Sequence, residues 1–172
     1  YSICRSYLPG EISVAVKAIE GGRFSRYARE HIRQGMTLEV MVPQGHFGYQ
    51  PQAERQGEYL AIAAGSGITP MMAIISATLA TEPQSRFTLI YGNRSSHSMM
   101  FRQALADLKD RYPQRLQVIH LFSQESMDSD LLQGRIDGDK LRQLADHLLD
   151  FSRFDEAFIC GPAVMMDETE AA

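Results

Sequence analysis

Two short stretches carry residue types whose spacing suits chemistry. Residues 65–70 read Gly-Ser-Gly-Ile-Thr-Pro, and residues 160–162 read Cys-Gly-Pro. Each follows a short apolar run and precedes a segment with helical apolar spacing. Glycine at such a turn permits positive φ and lets backbone N–H groups approach a ligand closely. The N-terminus of the following helix directs partial positive charge at the same spot, which suits a pyrophosphate. Thr69 can cap that helix, and Pro70 fits its first turn, where a missing N–H costs nothing. Any strand-to-helix turn can hold glycines for its own geometry, so the first stretch alone leaves both readings open. In the second stretch, Cys160 and Gly161 would face the same crevice as Gly65, outside the carboxyl ends of the strands. A cysteine there is either a buried structural thiol or a group set against a ligand.

The elements that must position these residues alternate. The apolar run "YLAIAAG" is followed by a helix over 70–80, "FTLIYGN" by the helix "SMMFRQALADLKDRY", and "QVIHLFS" by a loop and the helix "GDKLRQLADHLL". A fourth run, "EAFICG", leads to a helix from Pro162. Nearly all-apolar strands are expected where helices cover both faces of a parallel sheet, so this half reads as a doubly wound α/β domain over residues 57–172. Residues 1–8 and 11–19 alternate as strands around a "LPGE" turn, and Phe24, Tyr27, Ala28 and His31 recur at helical spacing. "TLEVMVPQGHFGY" reads as a strand broken by Pro43 and Gly45, and polar residues 50–58 as a linker. Residues 1–56 thus read as part of an antiparallel β-barrel, too short to close.

Composition narrows the function classes. The 172 residues are 44% hydrophobic with a net charge of −4, which supports a real core and argues against a nucleic-acid partner. The apolar runs are too short to span a bilayer, and no membrane association is expected. Two distant cysteines make no disulfide framework and fit a reducing, cytoplasmic setting. Five histidines lack metal-ligand spacing, so no metal site is expected, and no G-x-S-x-G elbow supplies a hydrolase nucleophile.

Four segments, in order, resemble the ferredoxin–NADP⁺ reductase family: "YSI" at residues 1–3, "GGRFS" at 21–25, "GSGITP" at 65–70 and "CGP" at 160–162. The resemblance implies a flavin-binding barrel followed by an NAD(P)-binding domain. It further implies electron transfer from NAD(P)H through FAD to an iron–sulfur centre, then to oxygenase subunits of a multicomponent complex. The arginine of the flavin motif, the first barrel strands, the last sheet strand and the iron–sulfur domain would lie outside this chain, which we therefore read as a fragment. Its open β edges make a homodimer through the incomplete barrel an expectation. A fragment could instead act as a non-catalytic nucleotide-binding or interaction module.

The resemblance also implies residue roles. Tyr1 would pack on the flavin ring and Ser2 would hydrogen-bond the flavin nitrogen that accepts hydride, with Ile3, Val16 and Lys17 on neighbouring strands. Gly22, Arg23, Phe24 and Ser25 would hold the FAD pyrophosphate at a helix start. Gly65, Gly67, Thr69 and Pro70 would hold the dinucleotide, and Cys160, with Gly161 and Pro162, would lie against the reacting nicotinamide. Ser2 and Cys160 are thus the two residues expected to be catalytic, with the Tyr1 ring on the flavin and the Thr69 side chain near the nicotinamide. Ordinary alternatives stand beside these roles: a strand aromatic, a solvated serine or lysine, an N-cap at Ser25. Met165 and Met166 read as core. Cofactor choice turns on the second and third strand ends, where a carboxylate favours NAD and an arginine favours NADP. "YGNRSS" offers Arg94 without an acid, and "FSQE" offers Ser123, so NADP is expected, with NAD as the alternative.

Overall fold

The computed structural model describes residues 1–5 and 10–172. Part of the first expected strand and of the "LPGE" turn therefore lies outside the described residues. Four parallel strands form the main sheet: β3 (Glu58–Ala64), β4 (Arg86–Asn93), β5 (Leu116–Phe122) and β6 (Glu156–Cys160), in the order β5-β4-β3-β6. The chain runs outward from β3 to β5 and then returns to place β6 on the other side of β3, so the winding reverses between β3 and β6.

Strand alternation divides the core into two layers. Tyr59, Ala61 and Ala63 of β3 join Phe87, Leu89 and Tyr91 of β4 against α2 (Ile68–Thr81) and α3 (Arg102–Arg111). Leu60, Ile62, Ile90, Ile119 and Leu121 face the opposite way, against Leu141 and Leu144 of α4 (Gly138–His147) and Met165 of α5 (Ala163–Glu170). Met165 is a core residue, and Met166 is half-buried against the same cluster. Helices therefore cover both faces, which is why the strands tolerate apolar side chains at every position.

α2 is apolar almost all round because it is covered on two sides. The sheet lies under one face, and β1 (Ile3–Arg5) packs against it with Cys4 in the same apolar cluster. Pro70 is its third residue, where an N–H would have no intrahelical acceptor. Thr69 is not the cap: the helix starts at Ile68 with Gly67 before it, and the Thr69 hydroxyl donates to the Ser66 carbonyl at 3.0 Å.

The first third is less regular than the alternation suggests. β1 pairs antiparallel with β2, which is confined to Ser13–Val14, and α1 spans Arg23–His31. Residues 37–49 form no strand. Val40, Met41 and Val42 are 74–80% exposed, so the segment has β-prone side chains but, among the described residues, no neighbouring strand to satisfy its backbone. The helix read from Ser98 begins instead at Arg102. Ser98 Oγ accepts from Ser95 N–H at 3.1 Å and donates to the Ser95 carbonyl at 2.8 Å, closing a separate turn over Ser96–Ser98. Phe101 then adopts φ +58° to turn the chain into α3.

Candidate dinucleotide and flavin site

The two stretches singled out in the sequence meet where the winding reverses. Ala63 pairs in register with Cys160, so β3 and β6 end level and both turns open on one edge of the sheet. Gly65 adopts φ +54° and has open space where a Cβ would stand. Gly67 is needed for a different reason: a Cβ there would lie 2.0 Å from the Cys160 carbonyl oxygen. One glycine supplies a left-handed backbone beside free space, and the other lets the two turns touch. Cys160 is half-buried, and burial pushes its thiol up, so it is a neutral group and not a nucleophile at physiological pH. Gly161 packs near the flexible end of Met165, and Pro162 precedes α5, its carbonyl accepting from Met166 N–H at 3.1 Å.

The ends of β4 and β5 continue this edge. Asn93 is in register with Phe122, Ser123 N–H donates to the Asn93 carbonyl at 3.0 Å, and Gln124 N–H donates to the Arg94 carbonyl at 2.8 Å. The loops carrying Arg94 and Ser123 thus run side by side. Arg94 is exposed, and its guanidinium has no partner among the described residues.

The expected flavin residues form a second group. Tyr1 is 76% exposed, and its ring lies 5.2 Å from that of Phe24. Ser2 and Ile3 are half-buried. α1 opens at Gly22 with no side-chain cap, which leaves backbone N–H donors free at its start beside Arg23. A Cβ at Gly22 would stand 2.3 Å from Ser25 Oγ. Ser25 itself is turned inward: it is 5% exposed, and its hydroxyl accepts from Ile19 N–H at 3.4 Å. It shapes the turn and does not present its hydroxyl outward. Val16 is half-buried, and Lys17 is anchored, its Nζ donating to the Ser98 carbonyl at 3.1 Å. This bond ties the first third to the turn that follows β4.

Three residues of the edge were not singled out from the sequence. Tyr91 donates from its hydroxyl to the Gly65 carbonyl at 3.1 Å and accepts from Met100 N–H at 3.2 Å. It fixes the glycine turn against the segment leading into α3. Asn93 is 8% exposed, and its side-chain amide has no hydrogen-bond partner among the described residues. A lone amide at the end of an otherwise apolar strand was the available signal. The third is Glu125, whose carboxylate accepts from Ser96 N–H at 2.6 Å. Among the described residues no cluster of side chains suits a metal ion, and no helix is long and apolar enough to cross a membrane.

Comparison with known proteins gives the family and the fold. The family model described as the oxidoreductase NAD-binding domain matches residues 61–171. The chain is 81% identical over 172 residues to one of the subunits of 1,2-phenylacetyl-CoA epoxidase from Escherichia coli (strain K12), covering all of this chain and 48% of that protein. It is 35% identical over 173 residues to the ferredoxin reductase component of 3-ketosteroid-9-alpha-monooxygenase from Mycobacterium tuberculosis (strain CDC 1551 / Oshkosh), covering all of this chain and 44% of that protein. The chain thus spans about half the length of the curated relatives it matches. Among solved structures, the cytochrome b5 reductase domain of Ulva prolifera nitrate reductase aligns with a TM-score of 0.69 at 25% identity, covering 85% of this chain and 56% of that one. The flavohem-like FAD/NAD binding domain of Vibrio cholerae nitric oxide dioxygenase aligns with a TM-score of 0.58 at 25% identity, covering 80% and 65%.

Proposed function

Because this chain belongs to the oxidoreductase NAD-binding domain family, we propose that it is the dinucleotide-binding part, and a portion of the flavin-binding part, of an electron-transferring reductase. Electrons would pass from NAD(P)H through FAD to an iron–sulfur centre carried elsewhere in the whole protein, and on to the subunits of an oxygenase. The likeness to the epoxidase component makes phenylacetyl-CoA epoxidation the reaction we propose it serves.

The carrying observation is the meeting of the Gly65–Gly67 and Cys160–Pro162 turns where the sheet reverses its winding. Open α/β sheets bind ligands at that place. The residues present fit a dinucleotide there: a left-handed glycine beside open space, an unpaired buried amide at Asn93 and an unpaired guanidinium at Arg94. The first third fits part of a flavin cradle through the exposed Tyr1 ring on Phe24 and the free amides at the start of α1.

When bound, the nicotinamide and flavin supply the hydride and single-electron chemistry themselves. The chain's residues bind and orient. Gly65 and the start of α2 receive the pyrophosphate, and Tyr91 holds the Gly65 carbonyl in place. Arg94 and Ser123 receive the adenosine-ribose end. Cys160 sets the reacting ring with a neutral thiol, and Tyr1 and Ser2 flank the flavin. No residue here transfers a proton.

The test is an anaerobic titration of the full-length protein with NADPH and with NADH, following flavin absorbance. We expect a yellow protein whose flavin bleaches stoichiometrically. A protein that binds dinucleotide yet stays oxidised would contradict the reductase reading and favour a binding module.

A further inference from the structure

The first third of the chain sits on the parallel half partly through apolar contact. β1 packs on α2, and Ala15 rests against the same cluster as Met99, Met100 and Phe101. Contact of this kind holds two surfaces together without fixing their direction. Lys17 adds a directional bond across 81 positions of chain: it is half-buried, and its Nζ donates to the Ser98 carbonyl at 3.1 Å. The turn that receives it is braced. Ser95 and Ser98 cap it from both ends, and Met99 N–H donates to the Ser96 carbonyl at 3.4 Å. Just beyond, Met100 N–H donates to the Tyr91 hydroxyl, which donates in turn to the Gly65 carbonyl. Lys17 is thus joined, through one turn and one buried tyrosine, to the glycine that follows β3.

We propose that Lys17 is a positioning residue for hydride transfer: by holding the Ser98 carbonyl, it sets the segment after β2 at a fixed offset from the glycine turn that receives the dinucleotide. The inference rests on the reading that the chain passes electrons from a dinucleotide to a flavin. In that reading the two rings are carried by different parts of the chain, and hydride passes only when they meet at contact distance. A slide of about 1 Å leaves apolar contacts largely in place but takes a donor out of hydrogen-bond range. Lysine suits the task, since a flexible four-carbon stem spans the gap and Nζ carries three protons to donate and no acceptor. The sequence leaves Lys17 open between a flavin neighbour and a solvated charge, because its acceptor is a backbone carbonyl that no side-chain type announces.

Full-length wild type, Lys17→Met and Lys17→Arg are compared, with rates taken per bound flavin. Stopped-flow flavin reduction at saturating dinucleotide should be about tenfold slower in Lys17→Met, part of the loss that misplacement by an ångström can cause, with the dinucleotide Kd nearly unchanged. Lys17→Arg keeps a donor of similar reach and should recover most of the rate. The flavin midpoint potential should stay where it is in both variants, since the lysine acts on placement and not on the ring. Hydrogen exchange supplies a reading that needs no turnover: amides of residues 95–101 should exchange about threefold faster in Lys17→Met, with those of β3 and β4 unchanged. Wild-type reduction and exchange rates in Lys17→Met would overturn the proposal. A slowed rate accompanied by a shifted potential would overturn it too, making Lys17 a direct neighbour of the flavin. If neither NADPH nor NADH reduces the wild type, the proposed function fails and this role falls with it.

Discussion

Adding one methyl group at Gly67 would set a Cβ 2.0 Å from the Cys160 carbonyl oxygen and 2.6 Å from its carbonyl carbon, both backbone atoms that cannot swing aside. Gly67→Ala should therefore lower stability by about 3 kcal/mol, at the upper end of overpacking costs, and weaken dinucleotide binding by separating the two turns. Thermal unfolding and calorimetry check the two parts; a variant with wild-type melting temperature would show that the turns need not touch. The sequence showed that these glycines mark a strand-to-helix turn, but it assigned both the same purpose. Only the paired strands reveal that Gly65 faces open space and Gly67 faces β6. Cys160 was legible as a crevice residue for the same topological reason. Its thiol is pushed up by burial, so in the function we propose its contribution is shape. Cys160→Ser keeps the size, adds a more strongly hydrated hydroxyl, and should slow flavin reduction by on the order of a hundredfold through misplacement of the ring, with dinucleotide affinity nearly intact. Stopped-flow reduction of the full-length protein reads this directly, and reduction at the wild-type rate would remove Cys160 from the reacting centre.

A buried carboxylate joins the elements that carry the two halves of the site. Glu82, just past α2, is fully buried and accepts hydrogen bonds from the Tyr49 hydroxyl at 2.8 Å, Gln52 N–H at 3.0 Å, the Tyr59 hydroxyl at 2.9 Å and the Ser85 hydroxyl at 2.6 Å. The stretch from Tyr49 to Gln52 precedes β3, so Glu82 pins the segment read as a linker to the end of α2. Arg115 completes the junction by donating to the Leu79 and Glu82 carbonyls. Burial works to raise the Glu82 carboxyl, but the four donors, Ser85 first, outweigh it and hold the group below its usual range. A lowered native value means that the stabilisation is fully present above the ordinary carboxylate range and is lost as pH falls through the native value. Glu82→Gln should thus cost about 2 kcal/mol or more near neutrality, since one amide oxygen cannot serve four donors, and the difference from wild type should shrink in acid. Denaturant unfolding across that range measures it; a pH-independent difference would show that the charge is not what counts. Nothing in "TEPQSR" announced this role, because the partners come from three separate segments. The same dependence on neighbours explains residues 37–49, where β-prone residues alone did not make a strand.

At the scale of the molecule, the parallel half was legible and the first third was only partly so. Continuous apolar runs alternating with helical spacing force a doubly wound sheet, and the order β5-β4-β3-β6 with helices on both faces is that fold. The first third draws its order from contacts of long range: β1 against α2, Lys17 against the Ser98 carbonyl, Tyr49 against Glu82. Spacing within a segment does not encode such contacts. They matter to the account because they hold the Tyr1–Phe24 corner on the same body as the sheet edge. The central claim is that the edge formed by Gly65, Arg94, Ser123 and Cys160 carries one dinucleotide, reacting ring at Cys160 and adenosine ribose at Arg94. A crystal structure of the full-length protein with FAD and NADP⁺ tests it most directly. The account predicts dinucleotide density along that edge, with the pyrophosphate at the Gly65 turn and the 2′-phosphate against Arg94. Density elsewhere on the protein, or along the edge in the reverse direction with the adenosine at Cys160, would contradict it.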